Sequence, residues 1–278
     1  MNNADLYRKS NSLQKRDALR CLEEHANKIK WKKIGDRVID LGCADGSVTD
    51  ILKVYMPKNY GRLVGCDISE EMVKYANKHH GFGRTSFRVL DIEGDLTADL
   101  KQGFDHVFSF YTLHWIRDQE RAFRNIFNLL GDEGDCLLLF LGHTPIFDVY
   151  RTLSHTEKWH SWLEHVDRFI SPYHDNEDPE KEVKKIMERV GFSNIEVQCK
   201  TLFYVYDDLD VLKKSVAAIN PFNIPKDILE DFLEDYIDVV REMRLLDRCN
   251  NNVGESVSIK FNYKVISVYA RKLCLSLM

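Results

Sequence analysis

Short apolar runs, each followed by a stretch of helical spacing, constrain this chain more than any other feature. Arg37-Val38-Ile39-Asp40-Leu41 reads as a strand ending in the turn Gly42-Cys43-Ala44-Asp45-Gly46, and Val48 to Tyr55 returns to helical spacing before Pro57. Arg62 to Cys66 is a second strand, with Ser69 placed to cap a helix through Met72, Tyr75 and Ala76. Thr85 to Leu90 is a third strand, and Phe104 to Phe110 a fourth that precedes a helix from about Glu120 to Leu130. Gly134 opens a fifth, Cys136 to Leu141. Strands alternating with helices of this length predict an α/β fold, a mostly parallel sheet with helices on both faces.

After Gly142 the rhythm changes. His143 to His174 is rich in aromatics, including Phe147, Tyr150, Trp159, Trp162 and Phe169, and lacks strand alternation. A helix near Pro179 to Val190, closed by Gly191, and a strand at about Ile195 to Tyr206 resume the core pattern. Asp208 to about Arg248 is a second helical interruption, and Val257 to Ala270 alternates again, as expected of a strand antiparallel to the preceding one. The chain therefore reads as one domain over 1–278 with helical additions at about 1–30, 143–174 and 208–248, which can gather as a lid over one end of the sheet. No Gly/Ser-rich linker marks an independent second domain.

A net charge of −5 argues against nucleic acid as the main partner, because phosphate binding uses a clustered cationic face. No window approaches the roughly 20 apolar residues that span a bilayer. The seven cysteines form no C-x-x-C pair, which suits free thiols in a reducing compartment, so a cytoplasmic location is expected. His155, His160 and His165 are evenly spaced, but five-residue steps turn about 140° on a helix and do not converge. No metal site is expected.

Ligands of parallel sheets bind beyond the carboxyl ends of the strands. Gly42, Ala44 and Gly46 allow a tight turn and close backbone approach, and the helix after Ser47 offers free N–H groups. The spacing is not the G-x-G-x-x-G of a dinucleotide site. Asp67, ending the second strand, can accept from both hydroxyls of a ribose; Asp91, just past the third, can bond an adenine amine with Ile92 packing nearby.

The run Val38 to Gly46, with Val64-Gly65-Cys66-Asp67 and Leu90-Asp91-Ile92, resembles the class I S-adenosylmethionine-dependent methyltransferases. Ala44 departs from their D-x-G-x-G-x-G pattern at its middle glycine. The resemblance implies a seven-stranded, Rossmann-like sheet, S-adenosylmethionine as cofactor and S-adenosylhomocysteine as product. It implies a cofactor-binding set of Asp40, Gly42, Cys43, Ala44, Gly46, Asp67, Ile68, Asp91, Ile92 and Ser109. Tyr7, Asn11 and Gln14, together with Tyr111-Thr112-Leu113-His114-Trp115, are similar to the insect juvenile hormone acid O-methyltransferase family, whose members esterify a lipophilic terpenoid acid. By that resemblance Gln14 and Trp115 hold the substrate carboxylate, with His114 beside them.

The chemistry agrees. A carboxylate is already ionised at pH 7 and needs no general base; it needs orientation. Neutral donors such as an indole N–H and a glutamine amide suit it better than an arginine clamp, which would over-stabilise the ground state. On a continuous first helix, Leu6 to Ile29, Tyr7, Ser10 and Gln14 would share one face. Phe147, Tyr150, Trp159, Trp162, Phe169 and Phe222 are the expected walls of an apolar pocket. The competing readings are a methyltransferase for an aconitate-like acid, a non-catalytic hormone-binding module, and methyl transfer to protein or nucleic acid.

Overall fold

A computed structural model describes residues 3–251 and 254–273; Met1 and Asn2 of the N-terminal addition and the last five residues lie outside them. Helices α1 (Ala4–Ser10) and α2 (Ser12–His25) precede β1 (Arg37–Leu41), α3 (Ser47–Tyr55), β2 (Arg62–Asp67), α4 (Glu70–His80) and β3 (Thr85–Val89). Then come β4 (Phe104–Phe110), α5 (Gln119–Leu129), β5 (Leu130–Leu141), α6 (Pro145–Ser154), α7 (Pro179–Val190) and β6 (Ser193–Tyr206). The chain continues through α8 (Leu209–Ile219), α9 (Leu229–Glu242), β7 (Leu246–Asn251) and β8 (Gly254–Arg271).

Seven strands lie in the order β3-β2-β1-β4-β5-β8-β6, and β7 pairs with β8 off that path. The first five are parallel, while β8 runs antiparallel to both β5 and β6. This is the expected mostly parallel sheet, with an eighth strand added. Successive residues of the central strands point to opposite faces. Ile39 and Val107 meet Phe123 and Ile126 of α5 and Met187 of α7. Val38 and Phe108 meet Ala18 and Leu22 of α2 and Leu52 of α3. Strand order reverses between β1 and β4, so the crevice beyond their carboxyl ends is the natural ligand site.

Three expectations change. The first helix is broken at Asn11, a buried residue whose Nδ2 donates to Ser47 Oγ at 3.0 Å and to Asp45 Oδ1 at 3.4 Å. A tertiary contact with the glycine turn thus overrides local helical spacing. The second interruption stops being helical at Glu242, because Leu246–Asn251 pairs with the first residues of β8. The segment His143 to His174 holds only α6 and a short turn of 3₁₀-helix at Val166–Phe169. Among the described residues no helix is long and apolar enough to cross a membrane.

Candidate active site

The turn after β1 forms the floor of the crevice. Gly42 sits at φ +72°, where a Cβ would lie 1.8 Å from Thr112 Oγ1, so only glycine lets this turn close on the loop after β4. Ala44 also adopts a left-handed conformation, φ 45°, and its N–H donates to Asp67 Oδ2 at 2.9 Å. Ser69 N–H donates to the other oxygen at 2.9 Å, and burial raises the Asp67 carboxyl above its ordinary range. Asp67 is therefore oriented by two backbone donors, with acceptor capacity left over for a ligand.

A cleft opens here. Gly42, Ala44, Asp67, Ile68, Asp91 and Ile92 all line it. Ile68 is 68% exposed at its mouth, while Ile92 is buried against the core. Asp91 is exposed, its Oδ1 accepting from Glu93 N–H at 2.9 Å. The remaining four cofactor candidates lie behind this lining. Asp40 is buried, pushed up to about 7 by that burial, and accepts from Thr49 Oγ1 at 2.6 Å, tying α3 to β1. Ser109 Oγ donates to Leu41 O at 2.9 Å. Cys43 packs with Val73, Ala76 and Phe87, and Gly46 caps α3.

On the far side of Tyr7, Tyr111 and Trp115 lies a second, narrow cavity. These three side chains line both spaces and form a common wall. Gln14, His114 and Trp115 come together in the second cavity, as the sequence suggested, among Leu13, Ile146, Phe147 and Phe261. Gln14 Oε1 is buried without a hydrogen-bond partner among the described residues. Burial lowers the His114 imidazole to about 3, so it is neutral at physiological pH. Its Nδ1 accepts from Leu141 N–H at 3.4 Å, which leaves the proton on Nε2. Among the described residues no Lys or Arg lines this cavity.

Two tyrosines of the second cavity are anchored from behind. Tyr111 and Tyr263 both donate to Oδ2 of the buried Asp17, each at 2.5 Å, and Arg16 Nε donates to Asp17 Oδ1 at 2.9 Å. Burial pushes the Tyr111 hydroxyl far above its ordinary range, keeping it a donor. Nothing in local sequence spacing announces this clasp, which links α2, the loop after β4, and β8.

The expected aromatic walls are corrected. Of the six aromatics proposed, only Phe147 lines the cavity. Tyr150 meets Phe222 and Tyr236 edge-on, Trp159 meets Phe232, Phe169 meets Phe222, and Trp162 is exposed. They build the core of the additions instead. The walls come from Tyr206 on β6 and from Phe261 and Tyr263 on β8, because β8 inserts between β5 and β6. Ser10 does not line this cavity, a consequence of the break at Asn11. His143, Asp148 and His174, which sequence reasoning did not group, converge to within 4.8 Å, with His174 Nε2 bonded to Asp148 Oδ1 at 2.7 Å.

Residues 32–191 match the model of a family described as a methyltransferase domain. The chain is 41% identical to the juvenile hormone acid O-methyltransferase of Drosophila melanogaster, over 98% of this chain and 93% of that protein. It is 28% identical to a malonyl-[acyl-carrier protein] O-methyltransferase of Hahella chejuensis, over 66% of this chain and 61% of that one. Among solved structures it is similar to the YcgJ protein of Bacillus subtilis, with a TM-score of 0.58 at 17% identity, covering 92% of this chain and 99% of that one. A phosphoethanolamine N-methyltransferase of Haemonchus contortus, solved with S-adenosyl-L-methionine, matches with a TM-score of 0.52 at 16% identity over 93% of this chain and 53% of that one. With its family match spanning residues 32–191 and a 41% identical relative along almost its full length, the chain belongs to the methyltransferase domain family and is a methyltransferase with the fold of the class I, S-adenosylmethionine-dependent enzymes.

Proposed function

We propose that this enzyme methylates the carboxylate of a lipophilic terpenoid acid, of the farnesoic acid or juvenile hormone acid type, to give the methyl ester. The observation that carries the reading is the second cavity: largely apolar, without lysine or arginine among its described lining residues, lined by the neutral donors Gln14, His114 and Trp115, and adjoining the cofactor cleft at Tyr7, Tyr111 and Trp115. The 41% identical relative is named for the same reaction. An aconitate-like acid would leave further carboxylates desolvated among Leu13, Ile146, Phe147 and Phe261 with no cation to meet them.

The cleft fits S-adenosylmethionine. Asp67 presents an oriented carboxylate for the ribose hydroxyls, Asp91 an exposed one for the adenine amine, Ile68 and Ile92 apolar surface for the ring, and Gly42 a backbone that nothing else could occupy. When bound, the cofactor supplies a methyl group activated by positively charged sulfur. The protein's task is then to hold one acceptor oxygen where the two spaces adjoin, in line with that methyl, and to keep water out. Trp115 Nε1–H, the Gln14 amide and the His114 Nε2–H serve as the donors. A neutral His114 neither competes for a proton nor over-stabilises the ground-state anion.

The direct test is transfer of labelled methyl from S-adenosylmethionine to farnesoic acid, with citrate-like acids in parallel. Labelled methyl farnesoate is the expected product; label on the polar acids alone would overturn the acceptor assignment. Gln14→Ala and Trp115→Phe should each lower kcat/KM by roughly 10- to 100-fold, the worth of one hydrogen bond to a charged group, and cofactor affinity should be little changed in Gln14→Ala, whose side chain does not line the cofactor cleft. A fully active Gln14→Ala or Trp115→Phe enzyme would remove that residue from acceptor recognition.

A further inference from the structure

The acceptor cavity does not end at its far side. Leu13, Gln14, Tyr206 and Ile219 line it and also line a groove of about 490 Å³ that opens to solvent between the first two helices and α8. The inner cavity thus shares one part of its lining with the cofactor cleft and another part with the outer groove. We propose that the outer groove is a second subsite for the acceptor, holding the trailing chain of a long carboxylic acid whose carboxylate lies in the inner cavity. This rests on the acid-methylating function proposed above.

Three observations support this occupant. The reacting carboxylate belongs where the cavity adjoins the cofactor cleft, and the residues the cavity shares with the groove, Leu13, Tyr206 and Ile219 beside Gln14, do not line that cleft. A chain too long for the inner cavity is therefore led into the groove. Leu6, Tyr204 and Val211 give the groove apolar surface to receive it. The exposed Lys9 and Lys214 also line the groove, and neither has an ion-pair partner among the described residues. Cations placed there attract the anionic end first, which brings the acid in with its carboxylate leading and its chain trailing. A tail lying in an open groove meets few walls, so the enzyme should accept acids that differ at the end remote from the carboxylate.

The test narrows the groove from α8 and reads chain-length selectivity. Ser215 and Val211 line the groove but not the inner cavity, and neither side chain is buried in the core. Ser215→Trp and Val211→Trp are each expected to lower the ratio of kcat/KM for farnesoic acid to that for octanoic acid by about tenfold, the scale on which an apolar pocket discriminates. The Kd for S-adenosylmethionine, measured on the same preparations, reports that the fold is intact. A ratio unchanged in both variants while that Kd is retained would overturn the outer subsite alone. If the parent enzyme binds the cofactor and methylates neither acid, the acid reading fails and the subsite with it.

Discussion

Asp67→Ala is expected to weaken S-adenosylmethionine binding by roughly a hundredfold or more, since two hydrogen bonds to a charged acceptor are each worth about 1.5–3 kcal/mol. Titration calorimetry on the folded variant reads the loss. The carboxylate is positioned in advance by Ala44 N–H and Ser69 N–H, so the protein spends little ordering on it when a ribose arrives. Stability should respond much less. Burial raises the Asp67 pKa in the folded state, so its ionised form opposes folding at neutral pH, and alanine relieves that opposition while giving up the two backbone contacts. A thermal midpoint that collapses along with the affinity would make Asp67 a brace of the glycine turn and not a ligand of the cofactor.

His106→Ala should destabilise the fold by about 3–5 kcal/mol, the usual cost of stripping one partner from a buried ion pair. His106 stands near the start of β4, at the end of the sheet away from the crevice. Its Nδ1 meets Asp135 Oδ1 at 2.7 Å and its Nε2 meets Asp36 Oδ1 at 3.0 Å, all three groups being buried. Trp31 packs against the ring at a tilt of 58°, with centroids 4.4 Å apart. Burial alone would lower the pKa of His106, but the bonds and charges of Asp135 and Asp36 override it and the pKa is raised. The stabilisation it gives is therefore complete below the unfolded value of about 6.5 and fades as pH rises through the folded value. Urea denaturation of parent and variant should show the widest gap below about pH 6 and a narrowing one in mildly alkaline buffer. A gap of constant size would assign the loss to the cavity left behind and not to charge.

The parallel half of the fold was readable because its signals are local. Apolar runs doubly covered by helices, the turn Gly42 to Gly46, and acids at the ends of β2 and after β3 each follow from neighbours in sequence. Where the reading failed, the deciding partner was remote. Asn11 breaks a good helical pattern because Ser47 and Asp45 claim its side chain. All three additions do line the acceptor cavity, but of the aromatics expected there only Phe147 does so; the other aromatic walls include Tyr206 on β6 and Phe261 and Tyr263 on β8, whose antiparallel order no local spacing records. Gln14, His114 and Trp115 do meet in one cavity, but resemblance and not periodicity pointed to them. The residues that complete the site, Tyr7 as an element of the common wall and Tyr111 with Tyr263 on Asp17, required the folded arrangement.

That common wall also sets how such an enzyme can diverge. A substitution at Tyr7, Tyr111 or Trp115 is felt on both of its faces, so it answers to two ligands at once. Leu13, Ile146, Ile219 and Phe261 face only the acceptor's side. Changes in substrate preference between related enzymes should therefore accumulate at those positions, where a new acid can be accommodated without renegotiating the methyl donor, while the partition between the two compartments stays the same.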